Sequence, residues 1–348
     1  MKSFEDNRVL RQPLTPGLLS TVRVIGEYRG KQELWQKQFP EVLDSLKELA
    51  IIQSTESSNR LEQITAAPER LRDLMLQTTT PANRPEEEIA GYRDVLATIH
   101  TSHPYVPIKP NIIAQLHRDL LKFAPEPGGK WKQVENEIAD FRADGTRTTR
   151  FKCVSVALTP EWMERLCDGF NRLRDQEAAE ALLLIPAFVL DFLCIHPFLD
   201  GNGRMARLLS LLLLYQAGYE VGRYISLERI IEESKESYYE SLKISSQRWH
   251  EGQHDLSPWR DYFLGTIVAA YRELERRTEL TTATPGAKRN LIREAADHFV
   301  ADFTSKELEL ACPMVSREMI RVVLREMQAE GRVEKIGEGR GARWKRIR

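Results

Sequence analysis

The sequence predicts a mainly helical protein: a helical core with a β-hairpin flap, followed by a small unit of three helices and a hairpin wing. Three observations predict it. Apolar residues recur at helical spacing near the N-terminus, as at Leu43, Leu46, Leu49 and Ile52. Two apolar stretches, 181–195 and 208–217, are rich in strong helix formers and too long for ordinary strands. Strand-like patterning is confined to two short places, within 131–157 and within 332–346.

The elements follow in chain order. The segment through about Ala67 reads as amphipathic helix, and residues 85–123 continue as helices until Gly128-Gly129 ends the run. Phe141 to Arg147 contains the hairpin-favouring pair Asp144-Gly145, and Phe151 to Val156 is strand-like. Helices resume from Pro160 to about Glu279, interrupted around residues 196–207, and Leu280 to Ala287 reads as a linker. In the last unit, Arg289–Phe299, Ser305–Ala311 and Ser316–Glu330 read as helices, the third with Ile320, Val323, Leu324 and Met327 on its apolar face and Gly331 as its stop. Residues 332–336 and 342–346 then flank a glycine-rich tip. The expected division is an N-terminal helical region over 1–84, a helical core with the hairpin over 85–279, a linker over 280–287 and a terminal domain over 288–348.

Composition narrows the function classes. With 348 residues, 42% hydrophobic and 29% charged, the chain has the make-up of a globular protein of two or three domains. A net charge of −1 gives no global field for nucleic acid or acidic substrates. The cysteines at 153, 167, 194 and 312 form no CxxC pair, so neither zinc site nor disulfide framework is indicated. The first residues lack the apolar core of a signal peptide. The run 181–195 falls short of the roughly 20 residues a bilayer requires. A cytoplasmic location without a membrane partner is the expectation.

The chemistry concentrates in His196-Pro197-Phe198-Leu199-Asp200-Gly201-Asn202-Gly203-Arg204-Met205-Ala206-Arg207, set between the two apolar helices. Glycines just before a helix let backbone N–H groups approach an anion, and the helix dipole favours negative charge there. Arg204 and Arg207 in or near the first turn run against that dipole and call for an anion, a triphosphate being the obvious one. Asp200 stands where a Mg²⁺ carboxylate belongs beside phosphates. His196, with an ordinary pKa of about 6.5, can accept a hydroxyl proton. Base, metal ligand, anion cradle and charge clamp in that order spell phosphoryl or nucleotidyl transfer. Phe198 reads as an apolar anchor for the loop.

This pattern, HPFxDGNGRxxR, resembles the signature loop of the Fic family, whose members move part of a nucleotide onto a protein hydroxyl. The resemblance implies ATP and Mg²⁺ as cofactors. It makes His196 the base and Asp200 the metal ligand, Gly201, Asn202 and Gly203 the phosphate cradle, and Arg204 and Arg207 the charge-neutralising pair, with Arg207 at the γ end. The intact Gly201-Asn202-Gly203-Arg204 favours transfer of AMP over the family's phosphotransferase variant. The hairpin within 131–157 matches the family's flap, which would hold a target segment by strand addition.

Upstream, Ser58 to Glu62 is similar to the family's inhibitory pattern, Ser/Thr-x-x-x-Glu-Gly/Asn, with Gln63 departing at the sixth position. The resemblance makes Glu62 a competitor of ATP for Arg207; the local alternative is a helix-capping role for Asn59-x-x-Glu62. The terminal unit resembles a winged helix-turn-helix, with Arg317, Arg321 and Arg325 on one face of its third helix as candidate DNA contacts. From Lys288 onward, fourteen Lys/Arg stand against ten Asp/Glu. The expected function is a protein adenylyltransferase acting on Ser, Thr or Tyr hydroxyls of a protein target, itself included, and autoinhibited by Glu62. A second copy in a homodimer and DNA are further candidate partners. Two alternatives stay open: a DNA-binding regulator with a nucleotide-sensing core, and an enzyme that removes AMP.

Overall fold

The computed structural model describes residues 2–141, 147–279, 287–297, 299, 302–312, 315–339 and 342–347. Its larger part runs α1 (Pro16–Gln38), α2 (Pro40–Leu61), α3 (Pro68–Met75), α4 (Arg84–Ser102), α5 (Pro110–Leu120), β1 (Glu137–Phe141), β2 (Arg147–Lys152), α6 (Thr159–Asp175), α7 (Ala181–Ile195), α8 (Asn202–Gln216), α9 (Leu227–Glu233), α10 (Lys235–Ser246) and α11 (Ser257–Glu279). The C-terminal unit follows as α12 (Ala287–Asp297), β3 (Phe303–Thr304), α13 (Ser305–Ala311), α14 (Arg317–Ala329), β4 (Val333–Ile336) and β5 (Arg343–Arg346).

Local chemistry starts these helices where the sequence permits. Pro16, Pro40 and Pro110 occupy first helical positions, where a missing N–H costs nothing. Thr15 and Asn83 cap α1 and α4 by accepting from the N–H groups of Leu18 and Glu86. The apolar helices α7 and α8 pack on each other at the centre, and nearly every residue of both is buried. Asp191 is the one acid inside α7. It is fully buried and accepts from the Ser3 N–H and hydroxyl and from Trp249 Nε1. These bonds tie the chain's first residues to the helix that delivers His196.

A single apolar core extends from Phe4 to Leu274, so packing crosses the division expected at residue 84. Helix α2 lies against α4 and α9 within that core rather than in a separate layer. The strands β1 and β2 pair antiparallel with a bulge at Ile138/Ala139. The expected Asp144-Gly145 turn lies outside the described residues, as does the expected linker over 280–286. Residue 287 already belongs to α12.

The C-terminal unit has its own core, with Ile320, Val323, Leu324 and Met327 of α14 buried as the periodicity requires. Its sheet has three strands in the order β3-β5-β4, one more than the hairpin wing expected from sequence. Phe303-Thr304 is too short to show alternation, and pairing with Trp344 and Arg343 makes it a strand. The short helix α3 is a further addition, and α12 ends at Asp297 rather than Phe299. Among the described residues, no helix is long and apolar enough to cross a membrane.

Candidate active site

His196 closes α7 in the left-handed conformation (φ 53°), its N–H donating to Phe192 O at 2.9 Å. That turn takes the chain out of the helix and aims the side chain into a cavity of about 250 Å³. Nδ1 lies 3.1 Å from Leu193 O, and a carbonyl only accepts, so Nδ1 carries the proton. Nε2 is thereby left as a lone-pair acceptor. Burial pushes the imidazole down to about 4, which keeps it neutral at physiological pH.

The loop after His196 is held from several sides. Asn202 accepts from the Phe198 N–H at 3.0 Å and donates to Phe198 O at 2.8 Å, closing the loop on itself. Phe198 is fully buried and stacks on His117 with ring centroids 3.7 Å apart. His117 Nδ1 accepts from the Gly129 N–H at 2.9 Å, so Nε2 bears the proton and donates to Asp200 O at 3.0 Å. Lys132 Nζ donates to Ile195 O at 3.0 Å, its backbone N–H to Pro197 O at 2.8 Å, and Asn136 Nδ2 to His196 O at 3.2 Å and to Phe198 O at 3.1 Å. Burial lowers the Lys132 pKa, yet three backbone carbonyls nearby are satisfied by this one pair of side chains.

The anion end begins at Gly201, the N-cap of α8, whose φ of 77° suits glycine. A Cβ on Gly203 would sit 2.2 Å from Glu62 Oε1. A carboxylate oxygen therefore rests on the glycine face of the helix N-terminus, where the sequence pattern calls for phosphate. Glu62 also takes a 2.8 Å ion pair from Arg207, a side chain only 3% exposed. Ser58 completes the grip: its hydroxyl accepts from Arg207 Nε at 2.8 Å and its carbonyl from the same guanidinium at 2.9 Å.

Ser58 and Asn59 lie in the last turn of α2, with Glu62 as its C-cap, so the alternative of an N-terminal capping box is overturned. The Asn59 amide donates to Thr55 O instead. Gln63 takes φ 62°, the left-handed residue just past a helix end that glycine or asparagine commonly fills. The departure at Gln63 thus leaves the helix end intact.

Asp200 is 56% exposed at its side chain and lines the same cavity. It accepts from the Gly201 N–H at 2.6 Å and pairs with Arg84 at 3.2 Å. Arg204 departs from the expected phosphate role. It is 1% exposed, does not line the cavity, and pairs with Glu88 of α4 at 2.7 Å, with Asp200 3.8 Å away. Its place is behind the loop, fixing α8 to α4. Ile138 and Arg150 of the hairpin, with Tyr238 and Tyr239 of α10, form further walls.

His117, Lys132, Asn136, Glu88 and Arg84 were not found from sequence. His117 had a signal, a polar residue on the apolar stripe of Ile113, Leu116 and Leu120. Lys132 and Asn136 follow a glycine pair in irregular chain and offered none. Separately, Arg317, Arg321 and Arg325 line one groove of the C-terminal unit together with Lys306, Lys335 and Trp344. Arg317 pairs with Glu309 at 2.9 Å and Arg321 with Glu318 at 3.7 Å.

A neutral histidine and a helix N-terminus that already receives a carboxylate thus share one cavity. Residues 107–214 match the model of the Fic/DOC family. It is 28% identical over 129 residues to a Fido domain-containing protein of Dictyostelium discoideum, covering 36% of this chain and 85% of that protein. Among solved structures, a Fic family protein from Desulfovibrio desulfuricans shares the fold with a TM-score of 0.62 at 19% identity, over 96% of this chain and 97% of its own. A Fic domain-containing signaling protein from Bacteroides thetaiotaomicron follows at 0.59 and 24%, over 72% and 94%. Fic-1 from C. elegans, residues 134–508, follows at 0.57 and 18%, over 73% and 70%.

Proposed function

We propose that the protein is an adenylyltransferase that moves AMP from ATP to a Ser, Thr or Tyr hydroxyl of a protein, and that Glu62 holds it back. The observation that carries this reading is the shared cavity: a histidine with a free Nε2 faces a helix N-terminus already receiving a carboxylate. Members of the family typically transfer a nucleoside monophosphate to proteins. His196 Nε2 takes the acceptor's proton as its oxygen bonds to the α-phosphorus and the bond to pyrophosphate breaks. The N–H groups at the start of α8 and the Arg207 guanidinium neutralise the phosphates. Asn202 and Arg204 act by holding that backbone in place, and the hairpin presents the target segment alongside.

The donor set fits Mg²⁺ in part: Asp200 supplies one exposed hard oxygen beside the cradle. Among the described residues, no group of three or more potential ligands gathers, so the ion would take its other ligands from phosphates and water. When bound it would neutralise charge on the transferring phosphates. Asp200→Ala should weaken Mg²⁺-dependent ATP binding by at least the roughly 10- to 100-fold that loss of a ligand's own supporting partner costs. Calorimetric titration with and without Mg²⁺ checks it, and an unchanged Mg²⁺ dependence removes Asp200 from the site.

Intact mass after incubation with Mg·ATP tests the reaction itself. One added AMP on the chain or on a target supports adenylylation; one added phosphate replaces it with phosphotransfer.

A second role, DNA binding by a winged helix, is favoured by the groove that gathers Arg317, Arg321, Arg325, Lys306 and Lys335. Binding to a DNA duplex should fall steeply with salt. Each arginine-to-alanine change should reduce the log–log slope by about 0.9 for every phosphate that arginine neutralises. No binding at low ionic strength would leave the groove to a protein partner.

A further inference from the structure

Helix α2 serves two masters. Leu43, Leu46 and Leu61 belong to the large core, and Ser54 bonds to Ser226 at 2.9 Å on that side. Leu49, 2% exposed, belongs instead to the core of the C-terminal unit, and α13 packs along the same stretch of helix. The helix is unbroken from Pro40 to Leu61, so Leu49 and Glu62 are joined by a rod of about 20 Å at 1.5 Å per residue.

At its far end, that rod is steered by Arg60, which pairs with Glu232 at 2.7 Å and with Glu56, and by Tyr239, which donates to Leu61 O at 3.1 Å. A cavity of about 120 Å³ lies between Ile52, Gln53 and Glu56 of α2 and Phe299, Thr304 and Glu307 of the unit. That part of the joint is not close-packed, so opening it there forfeits little dispersion contact.

We infer that the C-terminal unit is the latch of the Glu62 clamp: by burying Leu49 it holds α2 in the position that places Glu62 on Arg207 and Gly203, and releasing it raises transfer. This rests on the inhibitory reading of Glu62. A rigid helix with one end in the catalytic cavity and its middle in another unit's core couples the two, because moving either end changes the packing of the other.

The experiment uses the full chain with Leu49→Ala, alone and combined with Glu62→Gly, read as AMP incorporation by intact mass. Leu49→Ala alone should speed labelling about tenfold, within the ordinary range of coupling between sites. In the Glu62→Gly background it should add nothing, since the clamp is already gone. Backbone hydrogen exchange of residues 57–62 is measured on the same proteins without ATP, with α7 and α8 as the internal reference. Faster exchange in α2 alone is expected for Leu49→Ala.

Unchanged labelling by Leu49→Ala, when Glu62→Gly does raise it, overturns the latch and leaves the clamp standing. An equal gain in both backgrounds also overturns it, because the effect then bypasses Glu62. If Glu62→Gly itself gains nothing, the inhibitory reading falls. If labelling is lost altogether, the exchange result decides, and unchanged exchange over 57–62 overturns the latch.

Discussion

His196→Ala should abolish label transfer from Mg·ATP while ATP binding persists. A positioned base contributes about 10² to 10⁴ in rate, and among the described residues no second histidine lines the cavity. The other nearby histidine, His117, spends both ring nitrogens on Gly129 and Asp200 O and stacks on Phe198. On the proposed reading, binding draws on the start of α8 and on Arg207, which the substitution does not touch. The pH dependence follows from the same group. Burial lowers His196 to about 4, so it is already neutral above that value, and protonation on acidification removes the base. Transfer should be level across the neutral range and should fall as pH approaches the His196 value. Intact-mass labelling of the variant, paired with calorimetric ATP titration, reads both halves. Labelling at the wild-type rate would dismiss His196 as the base, and loss of ATP binding would make its role structural.

The parts of this site that could be read from sequence are those where several residue types must coincide in one short stretch. His196, Asp200, Gly201, Gly203 and Arg207 do so, and all five line one cavity. Arg204 shows the limit of that logic. Its position three residues before Arg207 places both on one side of the helix, but the partner that each buried side chain meets is different. For Arg204 that partner is Glu88, on a helix more than a hundred residues away in the chain, and no local pattern announces it. The same holds for Lys132 and Asn136, whose partners are backbone carbonyls of the loop and leave no trace in spacing.

Fold legibility follows a similar rule. Helices with apolar stripes, such as α14, are legible to within a residue or two because burial of one face decides them. The division at residue 84 is not, because whether two helical stretches share a core depends on which apolar faces meet. The face of α2 meets α4 and α9. Strand β3 is made by its pairing with β5 and has no identity alone. Gln63 is the reverse case. A departure from the family's pattern, it takes the required left-handed turn regardless, at a strain a single glutamine can bear where the helix end demands it.

Glu62→Gly should raise self-labelling about tenfold or more, a shift on the scale of an ordinary coupling free energy. The carboxylate now rests over Gly203 and on Arg207, the two features that would receive terminal phosphate oxygens. ATP must displace it, and a ligand moves such an equilibrium only by what it gains over the group it replaces. Removing the carboxylate removes that competition. The substitution should also leave the fold standing. Arg207 keeps the Ser58 hydroxyl and carbonyl as partners, so the buried guanidinium is not orphaned. Glu62 is the C-cap of α2, a place where glycine is tolerated, so the helix loses little. Thermal unfolding and label incorporation on the same variant separate the outcomes. A stable protein with faster labelling is expected, and ATP should bind it more tightly than the wild type because no internal anion has to leave. A stable protein with no gain in labelling would sink the assignment of Glu62 as an inhibitor. It would leave the Arg207 pair as a structural ion pair whose loss the two Ser58 bonds absorb.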